Sequence, residues 1–390
     1  MAGEVVFLSN QLYTSRRRAG FHELADAFVQ GGWQVTFVTT GLSWLSKLRR
    51  DRRLLGVAQE DLNRTTVCAD GVRSHIFMPL VHPVRTHPKL AAFEPIAFAS
   101  YGRRLSQDVE ETLARADVVI FESSAALMFF DRVRKIAPAA KTVYRVSDDL
   151  RVIPVSDVIR RQEDRIISRF DLISLPSNIM LQGRFSAFPQ ARHHRHGIPG
   201  AIADGVFQDP FPDRARPKMV SVGSTLFDAN FIHISAKVRP DLDFHVIGDV
   251  GAASRVALAN IIYHGELPFK QAAAYSAFCD IALAPYIPRI GSEYLAETSN
   301  KIIQYTYFGK KIIAPRHIQQ RAGMAHIIPY DPDDEASIAA AYATAFEMDL
   351  ATQPVAPPPR WTQVRDMITD ALNLPRGGSA PERPRSTRLA

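Results

Sequence analysis

The chain has 390 residues, 46% of them hydrophobic and 22% charged, the composition of a soluble globular protein long enough for two domains. No run approaches the roughly 20 apolar residues of a spanning helix, and the two cysteines, Cys68 and Cys279, lie far apart beside apolar runs, so a disulfide scaffold and a cysteine metal site are both excluded. The formal charge of +7 belongs to the first part: residues 1–217 hold 30 Lys+Arg against 23 Asp+Glu, and residues 218–390 hold 17 of each. A basic first part suits anionic lipid headgroups, a pyrophosphate-linked lipid or nucleic acid.

In chain order, the first part alternates short apolar strands with helical segments, which predicts a parallel, doubly wound sheet. Strands are expected at 5–9, 34–39, 74–78, 117–122, 141–146 and 171–175. The chain enters the first of them at once, so no leader is expected and the protein should be cytosolic unless adsorbed to a surface. Phe21, Leu24, Ala25 and Phe28 make the core face of the first helix, stopped by Gly31-Gly32. Arg16, Arg17 and Arg18 stand before it and oppose its dipole, so they are either solvated or await an anion.

Residues 41–56, GLSWLSKLRRDRRLLG, read as a helix carrying Leu42, Trp44, Leu45 and Leu48 among Lys47, Arg49, Arg50, Arg52 and Arg53. Such a mixture suits a membrane interface as well as it suits a solvated surface helix. The aromatic-rich stretch THPKLAAFEPIAFASYGRRL adds a second helix that would widen the same surface. Two posts after strands carry carboxylates: Glu122 in IFESSAA, and Asp148 beside Asp149 in YRVSDDL. Neighbouring carboxylates raise each other's proton affinity, as a general base requires, although Asp also caps turns. The histidines of HHRHG (His193, His194, His196) fit a strand end better than a metal site, because no carboxylate or Cys completes a ligand set.

Residues 199–217, rich in Pro and Gly, read as a linker between a domain of residues 1–198 and one of residues 218–360. The second domain restarts the pattern. KMVSVGSTLFDANF takes a strand into Gly223-Ser224-Thr225, a small-residue turn that lets a ligand approach backbone amides, with a helix starting near Asp228. FHVIGDVG lacks the full G-x-G-x-x-G, which counts against an NAD enzyme. NIIYHGE ends a strand at Gly265-Glu266-Leu267, where a nucleobase has room to be gripped.

The richest stretch is DIALAPYIPRIGSEYLAETSNKIIQYTYFGKKIIAP, residues 280–315. A strand leads through a Pro/Gly loop to Thr298-Ser299, expected N-caps of a helix that Gly309 stops. That helix start is where an open α/β sheet holds a phosphate, and Lys301 adds a full charge with Gln304 on the same side; an ordinary capped helix is the other reading. Strands at 311–315 and 325–328 and helices at 335–348 and 361–372 finish the chain. The last helix, in a segment of residues 361–374, is expected to cross back to the first domain, and the tail 375–390 to be disordered.

Seven blocks carry a resemblance: VVIFESSAA, KTVYRVSDDL, VSVGSTLFDANF, FHVIG, HGELP, LAPY and YLAETSNKIIQYTYFG, collinear over most of residues 4–372. In these the chain resembles the GT-B glycosyltransferases, an α/β fold of two Rossmann-like domains facing a cleft. More narrowly, it resembles the membrane-associated glucuronosyltransferases of xanthan assembly (the GumK family). The resemblance implies an inverting, metal-independent transfer of glucuronic acid from UDP-glucuronate to a polyprenyl-diphosphate-linked oligosaccharide, in exopolysaccharide biosynthesis, on the inner face of the inner membrane.

By matched position Asp148 is the implied catalytic base, opening towards the cleft. Glu266, Leu267, Tyr286, Asn300, Lys301 and Gln304 are the implied donor-site residues, with Thr225 at the edge. Thr225, Leu267 and Asn300 stand where the family has methionines, and Asp149 where it has a glycine, which leaves the donor sugar more open than the UDP. No cofactor is implied beyond the UDP-sugar donor, and no metal. Two alternatives stand beside this reading: a GT-B transferase using UDP-glucose or GDP-mannose, and a basic surface-binding protein without chemistry. For the latter, nucleic acid as the partner lacks the aromatic platforms or the module it would need.

Overall fold

The computed structural model describes residues 3–15, 18–318, 324–352 and 355–375. The chain divides into two compact units, Met1–Gly197 with Trp361–Ala390, and Ile198–Arg360.

In the first unit β1 (Glu4–Ser9), β2 (Gln34–Thr39), β3 (Thr65–Val67), β4 (Arg73–Ile76), β5 (Val118–Glu122), β6 (Lys141–Arg145), β7 (Leu172–Leu175) and β8 (Ala191–His193) form one sheet, ordered β3-β4-β2-β1-β5-β6-β7-β8. Only the β3–β4 pairing is antiparallel. The central strands read as unbroken apolar runs because helices cover both faces, and Val5, Phe7, Val118 and Ile120 are fully buried. Phe7 meets Phe21 and Phe28 edge-on, at 6.0 and 5.7 Å between ring centroids, and stacks on Phe37. The Trp361–Ala371 helix buries Trp361, Val364 and Ile368 against the Gly20–Gln30 helix. Its Arg365 donates to the carbonyl of Ala27 at 2.8 Å, a cation on the carbonyl end of that helix.

The two helices expected at 41–56 and in the following aromatic stretch are shorter in fact. Trp44–Leu48 is a single helical turn, after which Arg50 takes a left-handed φ of 55° and Asp51 caps a separate turn, Arg52–Leu54. A backbone step of that kind in a non-glycine residue leaves no mark in hydrophobic periodicity. The aromatic stretch becomes a 3-10 turn, Pro88–Phe93, and a four-residue helix, Glu94–Ala97, since Pro88 and Pro95 each remove a backbone donor. Glu94 is buried there, accepting from Thr86 N at 2.9 Å and from the hydroxyls of Thr86 and Ser156.

Gly102 makes this packing possible: its φ is +88°, and a Cβ built on it would lie 2.2 Å from the carbonyl oxygen of Met128. Gly102→Ala is expected to destabilise the protein by about 3 kcal/mol, read as a lowered denaturation midpoint.

In the second unit β9 (Lys218–Val222), β10 (Asp243–Ile247), β11 (Ile261–Gly265), β12 (Ile281–Leu283), β13 (Lys311–Pro315) and β14 (Ile327–Tyr330) form a parallel sheet, ordered β11-β10-β9-β12-β13-β14. The segment expected as a linker is part of this unit. Gly200–Ala203 is helical, Ile198 and Ile202 are buried, and Phe211 packs edge-on against Tyr275 at 5.2 Å. Its prolines and glycines mask the few apolar side chains that anchor it. The tail from residue 376 lies outside the described residues.

Both sheets reverse their strand order once, at β1/β5 and at β9/β12. At such a point the connections leave in opposite directions and open a crevice at the carboxyl ends of the strands.

Candidate active site

In the first unit the crevice is lined by carboxylates. Glu122 ends β5 and is buried. It accepts from Ser9 Oγ at 2.6 Å, from Asn10 N at 2.8 Å and from Gln11 Nε2 at 2.6 Å, all at the end of neighbouring β1. Burial pushes the Glu122 carboxyl above its usual range against the pull of these donors, and the charge of Asp148 pushes the same way.

Asp148 lies three residues beyond β6. Its amide and that of Ser147 donate to Ser123 Oγ, at 3.1 and 2.9 Å. The hydroxyl after β5 therefore pins the loop after β6. Asp149, the expected electrostatic partner of Asp148, is engaged elsewhere: Arg184 donates to it at 3.1 Å and also pairs with the buried Glu163, which accepts from Tyr144. Glu122, at the end of the neighbouring strand, feels the charge of Asp148.

The basic residues expected to face an acceptor or a membrane divide. Arg18 is committed to Glu23, at 3.1 Å, and to Asp26, so it is an intrachain ion pair rather than a waiting cation. Arg16 and Arg17 lie outside the described residues. Trp44, Lys47, Arg49 and Arg50 are all exposed, with the Lys47 ammonium 5.3 Å over the Trp44 ring. His194 and His196 hold Arg145, which is buried with no carboxylate partner among the described residues: it donates to the His194 carbonyl at 2.6 Å and contacts His196 Nδ1 at 3.2 Å. Desolvation drops the pKa of Arg145 to about 9.

In the second unit the crevice is cationic. Gly223 follows β9 with φ +88°, and Gly248 follows β10 with φ +129°. A Cβ on Gly248 would come within 3.2 Å of Gly223 C, and one on Gly223 would lie 3.9 Å from Lys301 Cε. Space favours glycine at Gly248, packed against the Gly223 backbone, and the left-handed φ favours it at Gly223. Ser224 and Thr225, exposed, continue the Gly223 turn. Asp228 caps the Ala229–Val238 helix through Asn230 N and Phe231 N. The loop is braced from behind, where Tyr305 Oη accepts from Val222 N at 2.9 Å.

The Asn300–Tyr307 helix starts where the second of the two expected caps puts it. Ser299 is its N-cap, accepting from Ile302 N, and Tyr286 Oη bonds the same hydroxyl. Thr298 closes a separate turn, Leu295–Thr298, and its hydroxyl donates back to Tyr294 O at 3.2 Å. Asn300 is exposed, and Gln304 is half-buried one turn beyond Lys301. Glu266, exposed, and Leu267 follow Gly265, whose carbonyl takes the Gly248 amide at 2.7 Å, and Leu267 packs into the cluster that holds Tyr286 and Ile302.

Lys301 is the unusual member. Its stem is partly exposed, yet Nζ is sealed and makes no hydrogen bond; it sits 4.6 Å over the Tyr286 ring. Desolvation lowers its pKa from 10.5 to about 8. Ser123, Arg184 and Tyr305 were not foreseen as site supports. Ser123 alone had a visible signal, as a small polar residue directly after an apolar strand.

A family model described as Glucuronosyltransferase GumK, N-terminal domain, matches residues 7–176. The UDP-glucuronate:glycolipid 2-beta-glucuronosyltransferase of Xanthomonas campestris pv. campestris is 30% identical over 345 residues, 87% of this chain and 83% of that protein. Among solved structures, HepE of Anabaena in complex with UDP and glucose has a TM-score of 0.56 at 13% identity, covering 95% of this chain and 99% of its own. Trehalose 6-phosphate synthase of Burkholderia multivorans has a TM-score of 0.57 at 10% identity, covering 95% and 98%. At such identities the structural likeness speaks for the fold, which is GT-B. With the 30% identity spread over most of both chains, the protein belongs to the GumK family of glucuronosyltransferases and is a glycosyltransferase.

Proposed function

We propose that the protein transfers glucuronic acid from UDP-glucuronate to a polyprenyl-diphosphate-linked oligosaccharide, with inversion and without a metal, in exopolysaccharide assembly at the inner face of the inner membrane. The observation that carries this reading is the sealed Lys301 ammonium, held over the Tyr286 ring beside the Gly223 turn at the carboxyl edge of a parallel sheet. Burying a charge unpaired is costly, and an arriving diphosphate or glucuronate carboxylate removes that cost. The Xanthomonas relative, named for UDP-glucuronate and a glycolipid acceptor, supports the choice of substrates.

In this reading Asp148 takes the proton of the acceptor hydroxyl as it attacks the anomeric carbon opposite the UDP, and one displacement inverts configuration. Lys301 and the amides opening the Asn300–Tyr307 helix meet the charge that grows on the leaving diphosphate, the task a metal performs in other transferases. If Lys301 pairs with the sugar carboxylate instead, the amides and Ser224 are left with the diphosphate. Glu266 and Leu267 hold the uracil, and Tyr286, Thr225, Asn300 and Gln304 border the donor. Glu122 orders the end of β1 beside the acceptor, and the Trp44 surface, with its cations, meets anionic lipid.

Incubation with membranes and labelled UDP-glucuronate, UDP-glucose or GDP-mannose tests this. Label from UDP-glucuronate is expected in the lipid fraction, at least tenfold above the others. Preferential label from UDP-glucose would keep the transferase and replace the donor, in line with the more polar Thr225 and Asn300. A rise in melting temperature with UDP, and none with NAD or an oligonucleotide, is the accompanying binding result.

A further inference from the structure

Below the Trp44 surface the first unit contains a cavity of about 270 Å³. Its floor is a set of fixed hydrogen-bonding groups: Ser43 Oγ lies 3.2 Å from Ser46 Oγ and 2.9 Å from His82 Nδ1. Arg53 lines one wall and is immobilised, donating to Asp51 at 3.1 and 2.7 Å and to the Gly41 carbonyl at 3.0 Å, so Asp51 is already neutralised. Arg49 lines the cavity as well and has no acidic partner among the described residues.

The rim is apolar. Leu48, Leu55 and Leu80 are 80%, 74% and 79% exposed, and Trp44 is 36% exposed. Main-chain bonds from Trp44 N to Pro79 O at 2.9 Å and from Leu45 N to Leu80 O at 3.2 Å brace Leu80 beside the tryptophan. A cavity with hydroxyl and cationic donors inside and exposed leucines around it fits an amphiphile with an anionic head. A free nucleotide would leave the leucines in water, and an apolar peptide would leave Arg49 unpaired.

We propose that this cavity seats the phosphate of an anionic glycerophospholipid, with its acyl chains lying over Leu48, Leu55, Leu80 and Trp44. The proposal rests on the membrane-facing reading of the Trp44 surface and deepens it. A diffuse electrostatic film weights every surface cation alike, whereas a seat singles out a cation that lines it.

Dihexanoyl phosphatidylglycerol below its critical micelle concentration is the probe. Trp44 reports binding by fluorescence, because Trp33 and Trp361 are only 4% and 6% exposed. A saturable change is expected. Arg49→Ala, in the cavity lining, should weaken it at least tenfold, and Ser46→Ala about threefold. Arg52→Ala, an exposed cation outside the cavity, should change it less than twofold. Equal losses in Arg49→Ala and Arg52→Ala, or no saturable change, overturn the seat. So does inorganic phosphate binding as tightly as the lipid.

Flotation with vesicles of phosphatidylcholine and phosphatidylglycerol separates the two layers of the reading. Wild-type flotation with equal losses in both arginine variants keeps the membrane surface and removes the seat. Failure of the wild type to float removes both.

Discussion

Asp148→Asn is expected to abolish glycosyl transfer, lowering kcat by roughly 10³ or more, while UDP affinity stays within a few-fold of wild type. The substitution is close to isosteric, and the loop it sits on is held by the main-chain amides of Ser147 and Asp148 on Ser123 Oγ, which the variant retains. What is lost is a base able to accept a proton, and positioned general bases contribute about 10²–10⁴ in rate. Glu122 does not rescue the variant. It is buried, its oxygens already serve three donors from the end of β1, and it lies beside Asp148 without taking its place. Single-turnover transfer and calorimetric titration with UDP measure the two halves of the expectation separately. Turnover above a tenth of wild type would remove Asp148 from the role of base.

The second large effect belongs to Lys301. Lys301→Met keeps the length of the stem and its place over Tyr286 but removes the charge, so kcat/KM is expected to fall by about 10²–10³, the loss seen when a preorganised transition-state donor is deleted. The same residue makes a pH prediction. Its folded pKa of about 8 lies below the 10.5 of the free side chain, so the folded state releases this proton first. Between those values the unfolded chain binds more protons, and stability contributed by this group rises with pH through that window. Ligand binding runs the other way.

An anion needs the protonated ammonium, so UDP affinity should be flat up to pH 7.5 and weaken roughly tenfold for each further unit above about 8. The terminal phosphate of UDP, with a second pKa of about 6, is already fully charged there and does not confuse the reading. Lys301→Met should bind weakly and equally at pH 7 and 9. A wild-type affinity that strengthens through this range would mean that the ammonium does not meet the anion.

How far the sequence reveals this site depends on the range of the contacts. The strands were legible because both sheets are covered on both faces, which forces apolar runs such as VVFL and VVIF. The glycine turn at Gly223 and the cap at Ser299 were legible as well, being local matters of backbone conformation and one side chain. The supports were not. Arg184 reaches Asp149 across 35 residues, and Tyr305 reaches Val222 across 83, distances over which periodicity carries no signal.

Asp148 and Asp149 show the same limit from the other side. Adjacency in sequence suggested Asp149 as the partner of Asp148, but gave no sign that Glu122, at the end of the neighbouring strand, feels the Asp148 charge as well. The left-handed Arg50 cut short a helix that the surrounding leucines and arginines favour continuing. The Thr298 hydroxyl turned back to Tyr294 for the same class of reason, a local bond competing with the helix.

The Trp361–Ala371 helix carries a consequence for biosynthesis. The aromatic core around Phe7 and Phe28 is closed by side chains that leave the ribosome after the whole of Ile198–Arg360. The native core of the first unit is therefore not complete until the last helix of the chain has been made. The later lobe closes a core made wholly of its own contiguous residues, whereas the core of the earlier lobe is complete only once the final segment has been added.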